Sequence, residues 1–431
     1  MMDYAEAISY LFSHIGLGKK FGLEPMRAVM ARMGDPHARH RVIHVAGTNG
    51  KTSTSRIAGQ VLLTQGYSAG VFTSPHLQKV EERIAVNGRP VSADNLAAAI
   101  TEVAGFVAEE VADGGRPLTY FELTTAAALA HFVSAGVDAI VLEVGLGGRL
   151  DATNVVSAEV AVLTGLGFDH TEYLGDTIPQ IAEEKLGIVG PGARLVCGAI
   201  PSEAAPVVER KARTVGADVM WLGKDFGIRS ILPRPQGGWT VSVDGLYGSY
   251  ENLELPLRGR YQVRNLAVGI AAAEAWLEKG LDVERLRRGL SEVTAPGRME
   301  LVEYGSIPLL LDGAHNPEAC SVLGKSLLEE FGERKWVGVL GVMDDKDLES
   351  MMVGLAPVLD RVVASRADSS RALITSRLAQ RIRAVCDLDV MECPDPSQAV
   401  REARRLAGDD GRVLVTGSLY LVGAVRTLLG L

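Results

Sequence analysis

The chain predicts an α/β protein: a P-loop nucleotide-binding domain built on a parallel sheet, then a smaller α/β, Rossmann-like C-terminal domain. Three observations predict it. Short apolar runs rich in β-branched residues alternate with segments of helical period along most of the sequence, the signature of a parallel sheet covered on both faces. A glycine turn, Gly47-Thr48-Asn49-Gly50-Lys51-Thr52, joins one such run to a helix. A short Pro/Gly linker, Ala295-Pro296-Gly297-Arg298, precedes a second series of alternating strands and helices. A boundary there divides the chain into residues 1–295 and 296–431.

The glycine turn carries the strongest signal. Val42 to Val45 reads as a buried strand, and beyond Thr52 the positions of Ile57, Val61 and Leu62 share one helical face. Unpaired N–H groups and the dipole at a helix start attract anions. Lys51 is placed to reach the β/γ-phosphates of a nucleotide, with the Thr52 hydroxyl towards a magnesium ion. A full P-loop has glycine where Val45 stands, so this is a shortened nucleotide loop. The alternative is an ordinary βα turn with a surface lysine.

At 431 residues the chain calls for two or three domains. Its hydrophobic content of 47% against 23% charged residues is that of a globular protein able to bury a core. A net charge of −9 argues against a nucleic-acid surface, which needs a basic field, but leaves room for local pockets for small anions. Cys197, Cys320, Cys386 and Cys393 are scattered, without metal-ligand spacing, and read as reduced, mostly buried thiols of a cytoplasmic protein. Residues 1–20 do not read as a signal peptide, and no run approaches the ~18 apolar residues of a membrane span.

In chain order, residues 3–33 read as helices laid against the nucleotide domain, with a loop around Gly16 to Gly22. Ala69 to Thr73 is a strand. Ser92 and Asp94 open a helix with Leu96, Ile100, Val103 and Val107 on one face, stopped by Asp113-Gly114-Gly115. Phe121 to Ser134 is an alanine-rich helix. Val137 to Val144 is a strand ending in Glu143, an acid where a metal ligand for a phosphate loop belongs, and glycines and charge follow through Asn154. Ala161 to Thr164 is a strand opening onto Asp169-His170, read as metal-binding because the histidine lies at a strand tip beside an acid. Ile178 to Ile188 is a helix whose Glu183, Glu184 and Lys185 read as a charged, solvated face. Gly238 to Tyr247 alternates with period two around Asp244-Gly245, the signal of a hairpin in an appended antiparallel ribbon. Tyr261 to Lys279 is a long helix. In the second domain Leu309 to Asp312, Trp336 to Leu340, Arg361 to Ala364 and Arg412 to Thr416 are strands; the first and last end in polar tips, which suggests a cleft between the domains.

Taken together the motifs resemble a family. Gly47-Thr48-Asn49-Gly50-Lys51, Thr73-Ser74-Pro75-His76-Leu77 with Glu82-Arg83-Ile84, Thr119-Tyr120-Phe121-Glu122, Glu143 through Asn154, Asp169-His170, Glu184-Lys185, Pro296-Gly297-Arg298, Asp312 through Pro317, and Gly417-Ser418-Leu419-Tyr420 are similar, in order, to the folylpolyglutamate synthase/dihydrofolate synthase branch of the Mur ligases. Thr52 stands where most of that branch carries glycine. The resemblance implies an ATP-dependent amide ligase: a substrate carboxylate takes the γ-phosphate, and the amine of L-glutamate attacks the acyl phosphate.

Site residues follow from the same resemblance. Thr48, Asn49, Gly50, Lys51, Thr52, Asn265, Arg298 and Asp312 would contact ATP. Ser74 and Glu143 would hold one magnesium ion and His170 a second. Lys185 matches the lysine that this superfamily carbamylates, and His315 and Ser418 would lie near the incoming glutamate, so that Lys51, Lys185 and His315 form the catalytic set. The pterin would meet Thr119 to Glu122, Leu150, Asp151 and Ala152, with Gly22, Leu23 and Glu24 beneath. The Arg149-Leu150-Asp151 version resembles bifunctional enzymes that also act on dihydropteroate. The partners implied are folate-type acids and L-glutamate, for a cytoplasmic monomer that binds neither nucleic acid nor membrane. Alternatives are a Mur-type ligase acting on a UDP-sugar peptide, a P-loop ATPase switch, and a non-enzymatic scaffold.

Overall fold

The computed structural model describes residues 1–18 and 22–431, so part of the loop expected around Gly16 to Gly22 lies outside the described residues. Eight strands form the first sheet: β1 (Arg41–Ala46), β2 (Ala69–Phe72), β3 (Ile84–Val86), β4 (Arg89–Pro90), β5 (Ala139–Glu143), β6 (Val160–Gly165), β7 (Arg194–Ala199) and β8 (Asp218–Trp221). Their order is β4-β3-β2-β5-β1-β6-β7-β8, parallel except for β3 and β4 at one edge. The sequence reading did not anticipate β3, β4, β7 or β8. Parallel sheets are covered on both faces, and the central strands are mostly apolar, with His44 and Glu143 buried among them. β1 is buried over Val42 to Ala46.

One face is covered by the Lys51–Thr64 and Tyr261–Leu277 helices, whose Ile57, Val61, Leu266 and Ile270 are fully buried. The Ala93–Ala112 and Tyr120–Ala135 helices cover the other, with Leu96, Ile100, Val103 and Val107 inward as their spacing requires. The N-terminal helices Tyr4–Ser13 and Glu24–Arg32 pack on that layer through Leu11, Met26 and Met30.

The ribbon has three antiparallel strands, β9 (Gly227–Pro233), β10 (Trp239–Asp244) and β11 (Ser249–Leu255), ordered β11-β10-β9. The return strand starts later than the Asp244-Gly245 signal implied, and the reason is a carboxylate. Glu274, fully buried on the long helix, accepts the N–H groups of Leu246 (2.6 Å) and Tyr247 (3.2 Å) and the Tyr250 hydroxyl, holding 245–248 as a loop against the helix.

The third sheet comprises β12 (Glu300–Tyr304), β13 (Ile307–Leu311), β14 (Trp336–Leu340), β15 (Leu359–Ala364), β16 (Asp389–Glu392) and β17 (Val413–Thr416). Its order is β12-β13-β17-β14-β15-β16; β12 is antiparallel to β13 and the other pairs are parallel. β12 and β16, both at edges, are the strands the sequence did not signal. Among the described residues no helix is long and apolar enough to cross a membrane. All four cysteines are free, three of them buried.

Removing the Glu274 carboxylate strands two backbone donors and the Tyr250 hydroxyl. Glu274→Ala should cost roughly 2–4 kcal/mol in urea unfolding, with Glu274→Gln losing less because its amide oxygen still accepts. Equal midpoints for the two variants would remove this account of the ribbon's attachment.

Candidate active site

The switch point of the first sheet lies where β5 and β6 flank β1, and ligands of such sheets bind beyond the carboxyl ends of those strands. The glycine loop leaves β1 there. Gly50, at φ 85°, is the N-cap of the Lys51–Thr64 helix, and a Cβ on it would lie 2.6 Å from the Asn265 side-chain oxygen. The loop is tied to the neighbouring strand: Thr48 N–H donates to Gly165 (2.9 Å), and the Thr164 hydroxyl donates to the Asn49 carbonyl (2.7 Å).

Two lysines converge on this loop. Lys51 Nζ donates to the carbonyls of Gly47 (3.0 Å) and Thr48 (3.1 Å), and Lys185 Nζ donates to the same Gly47 carbonyl at 2.9 Å. Lys185 is therefore not part of a solvated face, unlike its neighbours. Glu183 pairs with Arg210 and Glu184 with Arg149 near the surface, whereas Lys185 is only 5% exposed. Burial, reinforced by the Lys51 ammonium, pulls the Lys185 pKa down to about 7. Burial also lowers Lys51, which Glu143 and Asp169 pull back up.

Glu143 ends β5 opposite Val45 and is buried. It accepts from the Thr52 hydroxyl (2.8 and 3.0 Å) and from Ser74 N–H (3.0 Å). Burial pushes its pKa up, against the pull of Lys51 and these hydrogen bonds. Thr52, Ser74 and Glu143 are all hard oxygen donors, the set that suits magnesium shared with phosphate oxygens. The Thr52 hydroxyl thus stands against the Glu143 carboxylate, at the position where most of the branch resembled carries glycine. His170 caps a short helix with φ 52°, its Nε2 3.9 Å from Asp169 Oδ1. Among the described residues no three His, Cys, Asp or Glu side chains gather as a ready-made metal cage.

The second domain closes the cleft. A cavity of about 280 Å³ joins the glycine loop, Glu143, Lys185 and Asn265 to Arg298, Asp312 and His315. Asp312 is buried and accepts from Met299 and Ala314 N–H groups (both 2.8 Å), so it fixes the strand tip. His315 Nδ1 lies 2.7 Å from the Gly313 carbonyl. A carbonyl only accepts, so Nδ1 carries the hydrogen and Nε2 keeps its lone pair. Burial lowers the His315 pKa and keeps it neutral. Ser418 is buried, and its hydroxyl caps the last helix through Tyr420 N–H (3.1 Å).

Several groups here escaped the sequence reading. Lys346 donates to Asp169 (2.9 Å), Asn316 donates to Asp169 (3.2 Å) and Asn49 (3.3 Å), and Asn49 donates to Glu318 (2.9 Å). Burial pushes Asp169 up, yet His170 and Lys346 together hold its carboxyl well below the usual range. Lys346 lies in Asp344-Asp345-Lys346-Asp347, which reads as a solvated turn, and nothing in the sequence marks it.

The expected pterin residues divide into two groups. Thr119 and Glu122 form a capping box on the Tyr120–Ala135 helix, and Glu122 also pairs with Arg116 at 2.8 Å. Asp151 accepts from Leu146 N–H (2.8 Å), Thr153 N–H (3.0 Å) and the Thr153 hydroxyl (2.5 Å). Their polar atoms are engaged in the fold, which leaves these residues to position others. Phe121 packs on the 145–154 loop so closely that a Cβ on Gly145 would meet its ring at 2.6 Å. Tyr120 lies under the Arg83 guanidinium, 5.3 Å from the ring centre, with its hydroxyl buried and unpartnered. Leu150 is partly buried and Ala152 buried on the same loop. Gly22 is partly buried, Leu23 buried and Glu24 exposed, at the start of the second helix.

Residues 45–273 match the Mur ligase middle domain and residues 297–419 the Mur ligase glutamate ligase domain. The chain is 36% identical over 441 residues to the dihydrofolate synthase/folylpolyglutamate synthase of Mycobacterium tuberculosis, covering 95% of this chain and 90% of that protein. It is also 36% identical to the probable bifunctional folylpolyglutamate synthase/dihydropteroate synthase of Haloferax volcanii, covering 99% of this chain but spanning about half (50%) of that relative. The structure of Mycobacterium tuberculosis folylpolyglutamate synthase complexed with ADP superposes with a TM-score of 0.94 at 33% identity, covering 100% of this chain and 99% of that one. Escherichia coli FolC in complex with DHPP and ADP gives 0.88 at 30%, with the same coverage of both chains. Fold and cleft together define a Mur-type ligase. Within that class, the chain belongs to the folylpolyglutamate synthase/dihydrofolate synthase family.

Burying the Glu143 charge opposes stability, so its place at the phosphate loop has a cost. Glu143→Gln should therefore lower magnesium-dependent ADP release by more than about 100-fold while its melting temperature holds or rises. Unchanged magnesium dependence in a folded variant would remove Glu143 from the site.

Proposed function

We propose that this chain is an ATP-dependent acid–amino-acid ligase that joins L-glutamate to folate-type carboxylates. It takes dihydropteroate to dihydrofolate and extends reduced folates to polyglutamates, as a cytoplasmic monomer whose named groups all lie on one chain. Residues 1–295 bind ATP and the folate, and residues 296–431 form the glutamate-ligase part. One observation carries the reading: the phosphate loop with its oxygen donors and the neutral His315 face each other across a single cavity.

Lys51, the loop N–H groups and Asn265 hold ATP, with Arg298 and Asp312 approaching from the other domain. Thr52, Ser74 and Glu143, with His170 at a second site, would hold magnesium, which would supply charge neutralisation for the phosphates. An oxygen of the folate carboxylate bonds to the γ-phosphorus as the bridge to ADP breaks. The amine of glutamate then adds to the acyl carbonyl, and phosphate leaves as the amide forms. His315 Nε2, the nitrogen with the lone pair, takes the proton from the amine. Positioning across the cleft supplies much of the rate. Phe121, Tyr120, Leu150 and Ala152 form the apolar wall for the pterin above Gly22 to Glu24; Thr119, Glu122 and Asp151 hold that wall in shape, and Ser418 fixes the helix start beside the glutamate.

Lys185 is carbamylated. Its amine is neutral above about pH 7, so it adds to CO2, releasing one proton and leaving an anion between Lys51 and the second metal. As pH falls through about 7 the amine protonates and the modification is lost. Activity in CO2-depleted buffer should accordingly fall on the acid side of pH 7 and return with bicarbonate. Lys185→Ala should be inactive and partly restored by short carboxylates; intact mass of the active protein without the added 44 Da of CO2 would exclude the carbamate.

The deciding experiment measures glutamate-dependent ADP release with 7,8-dihydropteroate and with a reduced folate, weighing the products. One added glutamate on each acceptor is expected. Gain on the reduced folate alone would restrict the enzyme to tail extension, and gain on neither would overturn the reading.

A further inference from the structure

One buried histidine has no part in the site described above. His44, on β1 shortly before the glycine loop, is fully buried. Side chains alternate along a strand, and Ile43 and Val45 pack with the P-loop helix while Val42 points to the opposite layer, with Phe132 and Ala152. His44 shares the face of Val42, towards the helix that carries Tyr120 and Phe121 and the loop that carries Asp151. Its Nε2 lies 2.8 Å from the Thr153 hydroxyl oxygen, 109 residues away in the chain, and Thr153 is itself fully buried.

Hydrogen positions along this contact follow from counting donors. Asp151 accepts the Thr153 and Leu146 N–H groups (3.0 and 2.8 Å), which favour its ionised form although burial opposes it. An ionised carboxylate only accepts, so the single hydroxyl hydrogen of Thr153 goes to Asp151 Oδ1 at 2.5 Å. The hydroxyl oxygen then accepts from His44, and Nε2 carries the ring hydrogen. Nδ1 is buried and has no partner among the described residues; a hydrogen placed there would be an orphaned N–H, the rarer and costlier arrangement. Burial pushes the His44 pKa down to about 3, so the ring stays neutral and acts as a fixed donor. The hydrogen bonds therefore run one way, from His44 N–H to the Thr153 hydroxyl to the Asp151 carboxylate. That carboxylate closes the loop at Leu146, next to the Gly145 that faces the Phe121 ring.

Resting on the reading of the chain as a folate-type ligase, we propose that His44 is a positioning residue for the folate acceptor, acting through Thr153 and Asp151 on the wall that receives the pterin. Burying an imidazole inside an apolar sheet costs free energy, and Val42, Ile43 and Val45 show what the sheet alone asks for at these positions. The ring N–H ends on a hydroxyl whose own hydrogen is committed to the loop. It thereby fixes the Thr153 side chain and, through it, the Asp151 carboxylate. With both settled, the turn from Gly145 to Asp151 stays against Phe121, and the wall is formed before the acceptor arrives, which spares the cost of ordering it on binding. β1 also runs directly into the phosphate loop, so one strand carries the nucleotide turn at its end and supports the acceptor wall from its side.

Steady-state kinetics of the full chain test the proposal. Thr153→Val keeps the side chain's shape and removes the hydroxyl; His44→Phe keeps a ring and removes the donor. Each should raise the KM for 7,8-dihydropteroate and for a reduced folate roughly 5- to 30-fold, leaving kcat and the KM values for ATP and glutamate within about twofold. Thr153→Ser, which restores the hydroxyl, should bring the acceptor KM back towards the wild type, and the double variant should be no worse than Thr153→Val alone. An unchanged acceptor KM in folded variants, with the wild type active, overturns this inference and leaves the ligase reading standing. Equal rises in the ATP and glutamate KM values also overturn it, since the histidine would then serve the fold alone. Absence of glutamate-dependent turnover in the wild type sinks both. If the variants do not fold, nitrogen NMR of the wild type with isotopically labelled histidine decides. His44 should be neutral and protonated at Nε2 between about pH 5 and 8, with a resonance that moves on adding dihydropteroate and not on adding ADP. A ring that titrates in that range, or that ignores the acceptor, refutes the assignment.

Discussion

Two ammonium groups share one carbonyl oxygen at Gly47, and the rest of the site answers to that arrangement. Like charges in a low-dielectric pocket cannot both persist without counter-charge. Lys51 has Glu143 and Asp169 within its field; Lys185, with Lys51 beside it, gives way and approaches neutrality near physiological pH. The strand tips follow the same logic. β5 ends in an acid beside a cation, and Thr164, the penultimate residue of β6, donates to the Asn49 carbonyl. A nucleotide's phosphates would enter a pocket where Lys51, Arg264 and Arg298 stand among Glu143, Asp169, Asp312 and Glu318.

The second domain completes this electrostatic set by side chains, not by sheet contact. Asp169 stands on the first domain but takes its stabilising cation from Lys346 on the second, and Asn49, inside the phosphate loop, is bound by Glu318 and Asn316. The relative placement of the domains is thus sensed by the loop itself. An opening of the cleft would uncover Asp169 and free the Asn49 side chain in one movement, because both take their partners from the second domain.

Much of this was legible in the sequence where the constraint is local. Gly50 must be glycine because of its positive φ and the nearness of Asn265, and such steric demands write themselves into short motifs. Glu143, an acid at the tip of an apolar strand, is likewise conspicuous. Edge strands β8, β12 and β16 were not read, since half-exposed strands lose the apolar signature. By spacing alone Lys185 reads as surface charge, because its helix carries two genuine surface acids immediately before it; the resemblance, not the pattern, carried it to the site, and the fold turns its side chain inward. Lys346 is separated from its partner by 177 residues and lies among aspartates, so no spacing rule reaches it. Thr119, Glu122 and Asp151 were singled out as ligand contacts, but capping and loop closure engage their polar atoms, a distinction that residue identity alone does not carry.

The last helix meets the 73–82 segment at Gly423, where even a methyl group would stand 1.9 Å from the Leu77 carbonyl, and Gln78 is fastened to Thr427 and Leu431 beside it. Backbone against backbone at that spacing is a seat and not a bearing. Any parting of the two halves along this seam would have to lift the carboxyl-terminal helix off the Leu77 carbonyl and break both Gln78 hydrogen bonds together, so the final residues of the chain would come away as one piece.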